Sequence, residues 1–135
     1  MRRSAYDVII VGGGPAGLSA ALILGRCRRR VLLCDSGHPR NAASRALHGF
    51  LTRDGIRPME LLRIGRSQLA RYGIDLVRAE VTAARRTKGG FEVVLAGRSR
   101  LASRKLLIAT GVVDRLPEID GVPGLYGRSI FHCPY

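Results

Sequence analysis

The alternation of apolar and polar positions divides the chain into strand, helix and strand, then a long polar connection, a second helix and three further strands. Tyr6–Val11 reads YDVIIV, a nearly unbroken apolar run of the kind that fills a strand buried on both faces of a parallel sheet. Pro15 to about Arg26, PAGLSAALILGR, is helix-forming and mostly apolar, and Pro15 falls in the first turn, where a missing N–H costs nothing. Val31–Asp35, VLLCD, is a second apolar run that stops at an acid. Ser36–Gly55 mixes Gly, Pro, Asn and Ser without periodicity; it exceeds the usual connection length, so it is expected to cover something functional.

The second half continues in the same two periods. Pro58–Tyr72 gathers Leu62, Leu69 and Tyr72 on one face, places Arg63, Arg66 and Gln68 elsewhere, and stops at Gly73, which predicts an amphipathic helix. Ile74–Thr87, Phe91–Ala96 and Arg100–Ala109 read as strands of a small antiparallel meander, joined through Lys88-Gly89-Gly90 and Gly97-Arg98-Ser99. The last of them ends in Leu106-Leu107-Ile108-Ala109, apolar enough to return to the central sheet. After Thr110-Gly111, the residues Pro117, Gly121, Pro123, Gly124 and Gly127 predict an extended segment crossing the surface.

Composition narrows the classes. A chain of 135 residues holds one domain at most, and a hydrophobic fraction of 46% excludes disorder. No apolar run approaches the roughly 20 residues that cross a bilayer. The apolar segment behind the N-terminal arginines is broken at once by Gly12-Gly13-Gly14-Pro15, which does not suit a secretory signal. A cytoplasmic protein without a membrane partner is therefore expected. The net charge of +13 would suggest nucleic acid. However, the basic residues are spread from Arg2 to Arg128, aromatics are 5% and Trp is absent, so solvated arginine-rich faces are favoured over a nucleic-acid surface. Cys27, Cys34 and Cys133 are odd in number and lack metal-ligand spacing. No metal site is expected, and Cys27 and Cys34 read as buried thiols.

The most specific chemistry lies between the first strand and the first helix. Gly12-Gly13-Gly14-Pro15-Ala16-Gly17 fits G-x-G-x-x-G, in which Gly12 makes the tight turn, Gly14 lets the backbone approach a diphosphate, and Gly17 permits close helix–strand packing. A diphosphate would then sit on the helix N-terminus. Asp35 ends the second strand at about the distance where an acid accepts hydrogen bonds from a ribose. The expected fold class is α/β, a Rossmann-type parallel sheet with a small antiparallel β-meander. The glycine motif by itself leaves the choice of dinucleotide open.

GGGPAG, the strand ending in Ala109-Thr110-Gly111, the following LPEIDG, and the terminal Phe131-His132-Cys133-Pro134-Tyr135 together resemble the N-terminal portion of thioredoxin-reductase-like flavoproteins. The resemblance assigns FAD to Gly12, Gly13, Gly14, Pro15, Ala16 and Gly17. It puts Asp35 and Ser36 near the adenosine ribose, Val81 near the adenine, Ala109, Thr110 and Gly111 along the cofactor cleft, and His48 in a flavin-side loop. Asp35 stands where such enzymes usually carry Glu, which shortens the reach to the ribose. Read without the family, His48 is a hydrogen-bonded loop residue.

The resemblance further implies that residues 1–112 form the FAD-binding domain and that 113–135 lead toward an NADPH-binding domain. The chain would then be the FAD-binding fragment of a homodimeric oxidoreductase, inactive alone, ending one residue before the second cysteine of a C-x-x-C pair. Electrons would pass from NADPH through FAD to that pair, of which Cys133 is the catalytic first member, and on to a thioredoxin-like protein or small disulfide. Two alternatives stay open: a FAD-dependent oxidase that closes a disulfide in a small dithiol, and a non-catalytic FAD-binding remnant. His132 beside Cys133 could lower the thiol pKa, although neighbours on an extended chain point to opposite faces.

Overall fold

A computed structural model of the chain describes residues 6–132. The elements run β1 (Tyr6–Val11), α1 (Pro15–Arg26), β2 (Val31–Cys34), α2 (Pro58–Leu69) with a 3-10 turn over Ala70–Tyr72, β3 (Asp75–Val77), β4 (Val81–Thr87), β5 (Gly90–Leu95), β6 (Arg100–Ile108) and the short α3 (Val122–Leu125). All six strands join one sheet in the order β3-β2-β1-β6-β5-β4. The first four are mutually parallel, and the β4–β5 and β5–β6 pairs are antiparallel.

Strand β1 lies at the centre and buries both faces, which is why its sequence is apolar at successive positions rather than at alternate ones. Val8 and Ile10 pack with Val31 and Leu33 of β2 and with Leu18, Ala21, Leu62 and Leu69 of the two helices. On the opposite face Ile9, Val11, Leu32 and Cys34 pack with Val93 and Leu95 of β5. Ile9, Ile10, Leu33 and Val93 are fully buried, each contributing about 1.5–3 kcal/mol of transfer free energy. Helix α2 presents Leu62 and Leu69 to this core and hands over through Ala70–Tyr72 to Gly73, which takes the left-handed conformation that stops the helix (φ 61°).

Three expectations are corrected. The stretch Ile74–Thr87 is two strands, not one: β3 pairs in parallel with β2 at one edge of the sheet, and the chain then crosses to begin β4 at the other edge. Periodicity alone could not see this, because both pieces extend the same backbone and only their partners differ. Cys27 is exposed, whereas Cys34 is buried; Cys27 caps the C-terminal end of α1, past the last residue facing the core. The segment after Gly111 is not wholly extended, since Gly121 (φ 85°) turns the chain into α3.

Candidate functional site

The parallel strands end on a common rim. Gly12 N–H donates to the Cys34 carbonyl at 2.8 Å, Asp35 N–H to Val77 at 3.0 Å, and Ala109 N–H to Val11 at 2.8 Å. From this rim the chain builds β2 and β3 to one side of β1 and β4 to β6 to the other. A crevice at the carboxyl ends of strands where the winding reverses is the ligand position of such sheets. Here it opens into a groove of about 1610 Å³, beyond the roughly 300–1,000 Å³ that suits a compact small molecule and long enough in its lining to take an extended one.

The glycine turn forms the groove's floor. Gly12 sits at φ 111°, and a Cβ there would collide with the Ala109 carbonyl, so the turn is pressed against the end of β6. A Cβ at Gly17 would collide with the Gly12 carbonyl oxygen, which fixes α1 tightly behind the turn. Gly14 differs from both: its φ is an ordinary −74° and no atom lies within 4 Å of where its Cβ would stand. Gly14 is also the N-cap of α1, with no side-chain cap and no acid in the first turn. The first N–H groups of a helix lack intrahelical partners, so this end offers donors and the positive pole of the dipole to an anion in the groove.

Among the sequence-predicted residues, Gly12, Gly13, Gly14, Pro15, Ala16, Asp35, Ser36, His48, Val81, Ala109, Thr110 and Gly111 all line the groove. Gly17 does not; it packs behind the turn. Cys133 lies outside the described residues. The Asp35 carboxylate accepts from Arg66 Nη2 at 2.6 Å and from Gly37 N–H at 3.1 Å, and a Cβ on Gly13 would stand 2.5 Å from its Cγ. Two partners leave part of the acceptor capacity of the carboxylate for hydroxyl groups. His48 sits in a turn that closes on itself through Leu47 and Ile56, with Nδ1 3.7 Å from Asp54 Oδ1 and its side chain half exposed.

Sequence reasoning missed four residues around the groove. Arg66 reaches Asp35 from α2. Arg40 grips Asp114 with two hydrogen bonds, Nε to Oδ2 at 2.8 Å and Nη2 to Oδ1 at 2.7 Å, and the Tyr126 hydroxyl donates to the same Asp114 Oδ2 at 2.8 Å. The Arg40 guanidinium, then the Tyr126 hydroxyl, hold the Asp114 carboxyl down at about 2. Tyr126 also stands 3.0 Å from His132 Nδ1. The one signal available was compositional: with 23 basic residues against 10 acids, an arginine is a common partner for an acid near a site.

Among the described residues no cluster of three or more His, Cys, Asp or Glu is placed to hold a metal ion, and no helix is long and apolar enough to cross a membrane. Sequence comparison matches residues 6–133 to the pyridine nucleotide-disulphide oxidoreductase family. A probable thioredoxin reductase of Arthroderma benhamiae is 39% identical over 96% of this chain and 34% of its own length. A thioredoxin reductase of Claviceps purpurea, tcpT, is 40% identical over 96% of this chain and 41% of its own. The crystal structure of an oxidoreductase from Agrobacterium tumefaciens superposes with a TM-score of 0.91 at 46% identity, covering 96% of this chain and 44% of that one. The chain thus spans between a third and a half of the length of these proteins.

Proposed function

This chain belongs to the pyridine nucleotide-disulphide oxidoreductase family, and from that premise we propose that its groove binds FAD. In this reading residues 1–112 are the FAD-binding body of a cytoplasmic, homodimeric disulfide oxidoreductase, and 113–135 lead toward an NADPH-binding domain. The whole enzyme passes electrons from NADPH through FAD to a cysteine pair that includes Cys133, and from there to a thioredoxin-like protein or a small disulfide. The similarity to thioredoxin reductases supports this choice of electron path.

The observation that carries the reading is the N-terminus of α1. Its cap is a glycine with no side-chain partner and with open space where a Cβ would stand, so the backbone can meet a diphosphate directly. Beside it, Asp35 keeps acceptor capacity for ribose hydroxyls, and Arg66 holds that carboxylate in one orientation. Val81 supplies backbone at the adenine end, and Ala109, Thr110 and Gly111 border the remaining length of the groove. When bound, the flavin supplies the two-electron chemistry, and the protein supplies position and electrostatics.

Titration of the purified chain with FAD, followed by flavin fluorescence and by co-elution on gel filtration, tests this. One equivalent of FAD is expected to bind, to be displaced by ADP, which shares the diphosphate and ribose that the glycine turn and Asp35 hold, and to resist displacement by FMN. A chain that is folded by circular dichroism yet lets FAD elute separately would contradict the reading.

A further inference from the structure

The Asp35 carboxylate is held in place at the end of β2. Arg66 Nη2, reaching across from α2, donates to Oδ2 at 2.6 Å, and the Gly37 N–H donates to Oδ1 at 3.1 Å. Gly13 closes a further side: a Cβ there would stand 2.5 Å from Asp35 Cγ, so the carboxyl lies against the bare backbone of the glycine turn. Each carboxylate oxygen has about two acceptor positions, and each oxygen has one of them filled. The two that remain are adjacent, as are the vicinal hydroxyls of a ribose. Only 14% of the Asp35 side chain and 33% of the Arg66 side chain is exposed, so water competes less for this pair than for a surface ion pair. The pair also bears on a different ligand. An arginine beside the ribose accommodates a 2′-phosphate, whereas an acid accepts from a 2′-hydroxyl, and this groove is lined by both. Here the guanidinium is engaged by Asp35, and a 2′-phosphate would bring further negative charge against the carboxylate.

We propose that Arg66 is a positioning residue that fixes Asp35 for a free ribose 2′,3′-diol, and that it thereby restricts the groove to nucleotides without a 2′-phosphate. The inference rests on reading the groove as a dinucleotide site. Arg66 acts through Asp35: released from the guanidinium, the carboxylate keeps only its Gly37 contact, rotates, and no longer presents both acceptors to the diol at once.

The test is calorimetric titration of the purified chain with ADP, 2′,3′-dideoxy-ADP, ADP-ribose and 2′-phospho-ADP-ribose, in the wild type and in Arg66→Met and Arg66→Lys, with circular dichroism reporting the fold of each. In the wild type ADP should bind roughly ten- to a hundredfold more tightly than the dideoxy form, the effect of a hydrogen bond to a charged group. ADP-ribose should bind roughly tenfold or more tightly than its 2′-phosphorylated form. Arg66→Met should cut the preference for ADP over dideoxy-ADP to about threefold or less, and Arg66→Lys, which returns a cation without the planar fork, should recover part of it. The ratio cancels any uniform loss of attraction for the diphosphate, so a general charge effect or a merely structural role leaves it unmoved. A ratio unchanged in a folded Arg66→Met, or in Arg66→Lys should the first variant not fold, would overturn the role of Arg66. Equal binding of ADP-ribose and its 2′-phosphorylated form by the wild type would overturn the restriction on the ligand. A folded wild type that binds none of the four would contradict the dinucleotide reading itself, and the inference with it.

Discussion

At Gly17 a single methyl group decides whether the first helix can pack. Its Cβ would meet the Gly12 carbonyl oxygen, a backbone atom that cannot swing aside. Gly17→Ala should therefore lose at least the roughly 1–3 kcal/mol typical of overpacking, read as a lower urea midpoint at unchanged slope. An unaltered midpoint would mean that α1 shifts freely, and would undo the argument that this glycine sets the turn. The glycines were legible in the sequence because their roles are local: turn, approach and packing all fall within six residues. Arg66 and Asp35 stand 31 positions apart, and Arg40 and Asp114 stand 74 apart, so no spacing rule could join them. Cys27 was misread for a related reason, since one residue past the helix end is enough to leave the core. The Cys34 thiol, by contrast, is pushed up to about 11 by burial.

At the scale of elements, continuous apolar runs were enough to find β1 and β2 and the helical period to find α1 and α2, with bounds within a residue except at the end of α2, where Ala70–Tyr72 form a 3-10 turn instead. The split of Ile74–Thr87 was not legible because a three-residue strand, β3, has too few positions to show its own alternation. The connection between β2 and α2 was expected to cover something, and it borders the groove from Ser36 to His48. Arg40 ties it to the crossover segment through Asp114, and this tie has a definite pH dependence. The carboxyl is depressed to about 2 in the folded chain, first by Arg40 and then by Tyr126. Its stabilisation is complete above the ordinary carboxylate range near 4 and is lost as pH falls toward 2. The Asp114 side-chain carbon resonance should therefore titrate near 2 and move up toward the ordinary range in Arg40→Ala, stopping short of it because the Tyr126 hydroxyl still donates. A midpoint near 4 in the wild type would show that the tie does not persist in solution.

Over the whole molecule, a buried parallel centre supports one open groove at its rim, while Ile108, Val112 and Val113 beside that groove remain exposed. The arginines, which dominate the composition, are spent on solvated faces and on pairing the acids Asp7, Asp35, Glu60, Glu92 and Asp114. Charge thus said little about the fold and family, and the strand, glycine turn and helix said much, because that unit carries its geometry in the same few residues. The central claim is that the groove holds a dinucleotide on the bare N-terminus of α1, and Gly14 separates that claim from folding. Gly14 has an ordinary backbone conformation and open space around it, so Gly14→Ala should unfold at the same urea concentration as the wild type. Its methyl group would project where the diphosphate must approach. The most direct measurement is the dissociation constant for FAD of the wild type and Gly14→Ala by fluorescence titration, with circular dichroism confirming the fold of each. The account predicts saturable binding by the wild type and at least a tenfold loss in the variant, about 1.4 kcal/mol. Equal affinities in two folded chains would contradict it.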